Sequence, residues 1–299
     1  MTTLTAPPAK PRRRGPAPAT SPGRSVRTPV LPRMAAMLVM AVFTVYFLLP
    51  IWWLLVASSK TRGDVLSTNA LWFADLNLVE NVRAVLTYKD GLFAQWMGNS
   101  LFYAGVGAFV ATLLASMCGY ALAKYAFRGR EAIFNVVLGG VLVPATALAL
   151  PLFLLFSRVN LTDTYWAVLL PSVVSPFGVY LARIYAAASV PDELIEAARL
   201  DGAGAWTQFR RIRFPLLAPA VTFNVATALL GSMNGFDIVQ ATTAGGPARS
   251  TELLNIFIFR TFGQGLFAQA TTMSLVLFLV VVALAFPVIG MLRRREDVL

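Results

Sequence analysis

The sequence predicts an all-α, polytopic membrane protein with six transmembrane helices, and three observations predict it. The chain is 57% hydrophobic and 13% charged, about half the charge of an average soluble domain, with a mean hydropathy of +0.68. Six uncharged stretches are long enough to cross a bilayer as helices, which takes roughly 20 residues each. These stretches are continuously apolar, whereas the strands of a membrane β-barrel alternate over segments of about ten residues.

In chain order, residues 1–33 are rich in Pro, Ala, Ser and Arg. That composition predicts a disordered basic tail whose arginines meet anionic headgroups. The first span covers 34–57, too long for the apolar core of a signal peptide. An extramembrane loop to residue 94 completes this region. Residues 95–292 form the membrane core, with spans at 95–122, 132–157, 164–182, 214–236 and 269–292. The second and last are trimmed from uncharged runs at 91–123 and 261–292, because tilt absorbs only a few extra residues. A short basic tail, 293–299, ends the chain.

Charge predicts orientation. With the N-terminus inside, 18 of the 25 Lys and Arg fall on the cytoplasmic side and seven outside, while the acids divide evenly. This positive-inside bias puts both termini in the cytoplasm. The net charge of +11 therefore reads as topology and not as nucleic-acid binding, for which no aromatic-interleaved basic patch exists. Cys118 is the single cysteine and lies within the second span, so no internal disulfide forms; histidine is absent. His-based metal sites and His general-base catalysis are excluded. No G-x-x-x-x-G-K-[ST] motif occurs, so the chain binds no ATP through a P-loop of its own.

A polar island of about 25 residues, 189–215, interrupts this apolar chain, and it is too small to bury a core of its own. Ser189-Val190-Pro191-Asp192 opens a helix, with serine as N-cap, Pro191 in the first turn, and Asp192 and Glu193 facing the positive helix end. Leu194 shares a face with Ala198, and Ile195 with Arg199. Asp201-Gly202 stops the helix, since glycine accepts the left-handed C′ conformation. In a second short helix Trp206, Phe209, Arg210 and Arg213 fall near one stripe; Pro215 ends it and opens the fifth span. Two readings stay open. The alanines permit close approach of a soluble partner, with Glu196 and the arginines as directional contacts. Alternatively the pair lies on lipid headgroups.

Glu196-Ala197-Ala198, then Gly202 after three intervening residues, then Ile212-Arg213-Phe214-Pro215 after nine more, resembles the cytoplasmic "EAA loop" of permease subunits from binding-protein-dependent ABC importers. Phe214 replaces the usual leucine. From about residue 99 onward, Asn99-Ser100, Gly119-Tyr120-Ala121-Leu122-Ala123, Arg128-Gly129-Arg130 and Val190-Pro191-Asp192-Glu193-Leu194 look like sugar-importer permeases of the maltose MalG type. Asn234-Gly235-Phe236-Asp237 and Gly245-Gly246-Pro247 look like the MalF-type partner. The resemblance implies a type I ABC importer permease fold, in a bacterial or archaeal inner membrane. It implies half of a translocation path for a sugar or oligosaccharide, with glycerol 3-phosphate, a polyol, an osmolyte or an amino acid as other solutes of the wider family. The implied partners are a second permease subunit, two cytoplasmic ATPase subunits that carry ATP and Mg, an extracytoplasmic solute-binding protein, and membrane lipid. The chain itself is then non-catalytic and binds no cofactor. Glu196, Ala197, Ala198, Asp201, Gly202, Ile212 and Pro215 would couple it to the ATPase, with Glu196 as polar contact, the alanines as close-packing floor and Gly202 as the turn.

Polar residues inside spans mark the expected solute path, because each needs a protein or water-facing role. Asn99 and Tyr103 lie one helical turn apart. Asn224, Thr227 and Gly231 share one side of the fifth span, and Asn234 and Asp237 follow at its outer end, the latter able to anchor there against Arg260. The competing reading is hydrogen bonding between helices, at about 0.6 kcal/mol each. No charged residue lies well inside the six runs, which speaks against an ion-coupled secondary transporter.

Overall fold

A computed structural model describes residues 30–233, 235–247 and 249–296. Asn234, Ala248 and most of the N-terminal tail lie outside the described residues. The described chain is helical, with no strand. It divides into two units, Met1–Leu48 and Leu49–Leu299.

The first helix, α1 (Val30–Ser58), starts within the stretch expected as tail. Its 31–48 portion is exposed throughout, with Phe43, Tyr46 and Phe47 in ring contact. A helix apolar on all faces suits lipid rather than water.

In the larger unit, the short helices α2 (Asp64–Ser67) and α3 (Leu78–Leu86) order the region expected as a loop. Lys60 is buried there and donates to Thr68 Oγ1 at 2.9 Å and the Asn69 carbonyl at 2.6 Å. Then come α4 (Leu92–Lys124), α5 (Arg130–Leu142) and α6 (Ala145–Arg158), α7 (Tyr165–Ser172) and α8 (Pro176–Ser189), α9 (Asp192–Leu200) and α10 (Ala205–Gln208). The chain continues with α11 (Phe214–Met233), α12 (Phe236–Thr242), α13 (Leu254–Gly263) and α14 (Phe267–Glu296).

Five helices are long and apolar enough to cross a membrane, and α5 with α6, bent by 105° at their break, gives a sixth when the pair is taken as one span. The bend has a local cause. Pro144 lacks an N–H and disfavours helical Val143, which is extended. The two ends of the pair lie at opposite ends of the bundle. Arg183 donates to both carboxylate oxygens of Glu131 at 2.7 and 2.8 Å, near the pair of Lys124 with Asp192 at 3.0 Å. Asp163, just beyond α6, lies beside Gly246, in the loop that meets the start of α4. The fourth crossing is also broken, with Ser175 capping α8 by accepting from Gly178 N–H at 3.1 Å and Pro176 at the first helical position, where its missing N–H costs nothing.

Small residues hold the bundle together. Gly107, Ala111, Ala115 and Gly119 recur every fourth residue on α4 and are buried. A Cβ on Gly119 would lie 2.5 Å from Ala182 Cβ and 2.7 Å from the Arg183 nitrogen. Such backbone approach is how helices associate in lipid, where the hydrophobic effect gives no drive. Two aromatic-aliphatic clusters fill the opposite end, one around Trp96, Met233, Leu254 and Met273, the other around Tyr103, Val168, Val239 and Ile256.

Candidate coupling helix and solute path

Helix α9 begins two residues later than the sequence suggests. Ser189 still belongs to α8, and Pro191, extended with ψ 138°, is the N-cap of α9. Asp192 and Glu193 occupy its first turn, where they meet the positive helix end. Its inner face is Ile195 and Ala198, both buried; Ile195 forms a cluster with Ala186, Val190 and Leu217, against which Ile212 packs. Burial of Ala198 (8% exposed) turns it inward, so of the two alanines only Ala197 faces outward, beside exposed Glu196 and Asp201. Leu194 and Ala198 therefore do not share an environment: Leu194 is exposed.

The stop is a Schellman turn. Ala203 N–H reaches Ala198 O at 2.9 Å and Gly202 N–H reaches Arg199 O at 3.0 Å, with Gly202 left-handed at φ +77°. Nothing lies within 4 Å of the place a Gly202 side chain would start, so conformation alone demands glycine.

After the turn, the expected second short helix does not end at Pro215. Residues 205–233 run as one span, with a π-helical segment, Phe209–Arg213, joining α10 to α11. Phe214 N–H bonds Phe209 O, five residues back. The wider turn carries the helix past Pro215, which has no N–H to give. Gln208, which sequence reasoning passed over, is 4% exposed and clamps this junction. It donates to Ala203 O at 2.7 Å and accepts from Arg213 at 2.9 Å. Its only sequence signal was an amide among apolar and basic neighbours. The outward surface of the island is apolar as well as polar: Leu200 is 90% and Trp206 71% exposed.

At the other end, the polar residues expected to mark a path divide into two groups. Asn99 is a tie: its amide donates to Ser250 O at 2.8 Å and Glu252 O at 3.0 Å. Asn224 donates to Gly178 O at 3.2 Å. Asp237 is exposed in the first turn of α12. Arg260 does not anchor it, because Arg260 holds Glu252 at 2.6 Å and Ala244 O at 2.6 Å. Glu252 is a buried carboxylate, 1% exposed, that also accepts from Trp96 Nε1 at 2.8 Å; it carried no sequence signal, lying in a loop. Tyr103 is buried and borders a cavity of about 300 Å³ together with Ser172, Ser175, Phe177 and Thr227. Asn234 lies outside the described residues. Among those described, no His, Cys, Asp and Glu group could hold a metal ion.

A family model described as "Binding-protein-dependent transport system inner membrane component" matches residues 111–294. The arabinooligosaccharides transport system permease protein AraQ of Bacillus subtilis (strain 168) is 33% identical over 205 residues, 68% of this chain and 73% of the relative. AraQ of Halalkalibacterium halodurans is 40% identical over 148 residues, 50% of this chain and 53% of the relative, so that match spans about half of the relative's length. A chain in the crystal structure of a bacterial ABC transporter involved in import of the acidic polysaccharide alginate superposes with a TM-score of 0.71 at 20% identity, over 91% of this chain and 99% of that one. At that identity the likeness is one of fold, the type I importer permease fold, and the family model matches from the middle of α4 almost to the end of α14. The chain is an integral membrane protein that belongs to the binding-protein-dependent transport system inner membrane component family.

Proposed function

We propose that this chain is a non-catalytic permease subunit of an ATP-driven importer for a sugar or oligosaccharide. It forms half of a translocation path with a second permease, receives solute from an extracytoplasmic binding protein, and couples through α9 to a cytoplasmic ATPase pair that carries ATP and Mg. Both termini and residues 189–215 face the cytoplasm in this reading, which the basic asymmetry supports. The solute class rests on the relatives named for arabinooligosaccharide transport.

The observation that carries the coupling role is the two-sided character of α9. Ile195 and Ala198 bind it to the bundle, while Glu196, Ala197, Leu200 and Asp201 stand free on its outer side. A motion imposed on the outer face must pass into α8 and α11 through the buried one. Glu196→Lys tests this: the exposed site tolerates lysine, so the protein inserts and folds normally. Uptake by the reconstituted complex is expected to fall at least tenfold while ATP hydrolysis continues. Wild-type uptake in this variant would remove the coupling role.

A further inference from the structure

Gln208 is the single side-chain amide of residues 189–215, and its surroundings specify an amide. Its Nε2 donates to the Ala203 carbonyl at 2.7 Å, and its Oε1 accepts from Arg213 Nη2 at 2.9 Å. A carbonyl cannot donate and a guanidinium cannot accept, so one orientation of the amide alone satisfies both. A carboxylate would have no proton for Ala203 O, and an ammonium would have no lone pair for Arg213.

These two bonds join three elements. Ala203 closes the Schellman turn that ends α9. Arg213 ends the π-helical segment that leads into α11. Among the described residues Gln208 is the only hydrogen-bond acceptor for its guanidinium, whose Nε is buried without a partner. The guanidinium carbon lies 5.8 Å from the ring centroid of Tyr120, near the end of α4, within cation–π reach. Tyr120 and Ala123 of α4 also pack against the cluster that holds Ile195 of α9. At the start of α9, Asp192 pairs with Lys124, the last residue of α4, at 3.0 Å. That carboxylate stands in water, so the pair contributes little. Gln208 is buried, and a buried bond costs more to break from one side.

We infer that Gln208 is a positioning residue for coupling: through Arg213 it locks α9 and its turn to the end of α4, so that the two move as one body. The inference rests on the coupling reading of α9 above. It adds α4 to the helices that take up the motion, beside the apolar route into α8 and α11. Helix α4 runs 33 residues, about 50 Å. Near its other end Asn99 holds the carbonyls of Ser250 and Glu252. A displacement of α9 therefore reaches the loop at the far end of the bundle along one helix.

The test uses the complete complex in nanodiscs, in a Cys118→Ser background. Spin labels are placed through Ala126→Cys, just beyond α4, and Glu193→Cys, in the first turn of α9, both exposed positions. Electron paramagnetic resonance reads the distance between them without nucleotide and after trapping with ATP and vanadate. With Gln208 in place the distance is expected to be the same in both states. In Gln208→Glu, which keeps the acceptor for Arg213 and loses the donor to Ala203 O, it is expected to shift or broaden on trapping. Gln208→Met, of similar length with neither bond, is expected to do the same. Uptake of α-1,5-arabinotriose per ATP hydrolysed is expected to fall about three- to tenfold in both variants, the worth of one hydrogen bond. A distance that changes on trapping with Gln208 in place overturns the inference. So does a distance that stays fixed, or an uptake ratio that stays at the wild-type value, in both variants. If Glu196→Lys still uncouples uptake in that event, the coupling reading survives. If Glu196→Lys leaves uptake at the wild-type value, the coupling reading falls and this inference with it.

Discussion

The two ends of the bundle treat their charged groups in opposite ways. At the Trp96 end, both oxygens of Glu252 are engaged, by Arg260 and Trp96, and Asn99 holds the backbone of the same loop. Lys60 is likewise buried and bonded within its own loop. At the Lys124 end, the carboxylates of the ion pairs stand in water, with Asp192 74% and Glu131 60% exposed, so those pairs contribute little. Here large apolar side chains, Leu200 and Trp206, are also outside. The Trp96 end keeps large apolar side chains outside as well, Trp72 at 65% and Val79 at 82% exposed, so the contrast lies in its buried charges. An end that keeps apolar side chains exposed gains free energy when another surface covers them.

The strongest way to break this comparison is Glu252→Ala. It strands Trp96 Nε1 and the Arg260 guanidinium beside a void, and the expected cost is about 2–3 kcal/mol. A lowered midpoint of thermal denaturation in detergent would show it, with transport lost in proportion to folded protein. An unchanged midpoint would mean that the loop is not held by this carboxylate.

Gly202→Val comes next. The left-handed backbone costs a branched residue on the order of 1–2 kcal/mol, and the open space around it means no clash adds to that. The expected result is normal insertion, a slightly lowered midpoint and loss of coupled uptake. Gly202→Asn should recover much of both, because asparagine tolerates this conformation. Equal behaviour of valine and asparagine would argue that space, not conformation, matters there.

Leu200→Asp should barely touch stability, within roughly 0.5 kcal/mol, since the side chain meets solvent. In a reconstituted complex it should nonetheless lower uptake per ATP hydrolysed. If uptake keeps its wild-type ratio to hydrolysis, the exposed apolar face is not a docking surface.

The smallest perturbation addresses sidedness alone. In a Cys118→Ser background, Ser67→Cys should react with an impermeant thiol reagent in intact cells, and Ala205→Cys should not. The reverse pattern would invert the two ends.

The membrane class, the approximate crossings and the turn at Gly202 are legible in the sequence because they are local. Apolar length, backbone handedness and the absence of an N–H on proline each act within a few residues. The small-residue ladder Gly107, Ala111, Ala115 and Gly119 could also have been read from its spacing of four. The division of Asn99 from Tyr103 could not. They lie one turn apart on α4 and look equivalent in sequence, yet one binds loop carbonyls about 150 residues away and the other borders a cavity.

What the sequence by itself determined, then, is that the chain crosses a bilayer in helices and carries a helix, turn and proline signature between two of them, since both follow from local composition and stereochemistry. Only the tertiary structure decided that Ala198 faces inward and Ala197 outward, that residues 205–213 run unbroken into α11 through a π-helical turn, and that Arg260 holds Glu252 instead of Asp237. Each of these is settled by which surface a side chain meets. That depends on helices packed together from distant parts of the chain, and no local pattern encodes it.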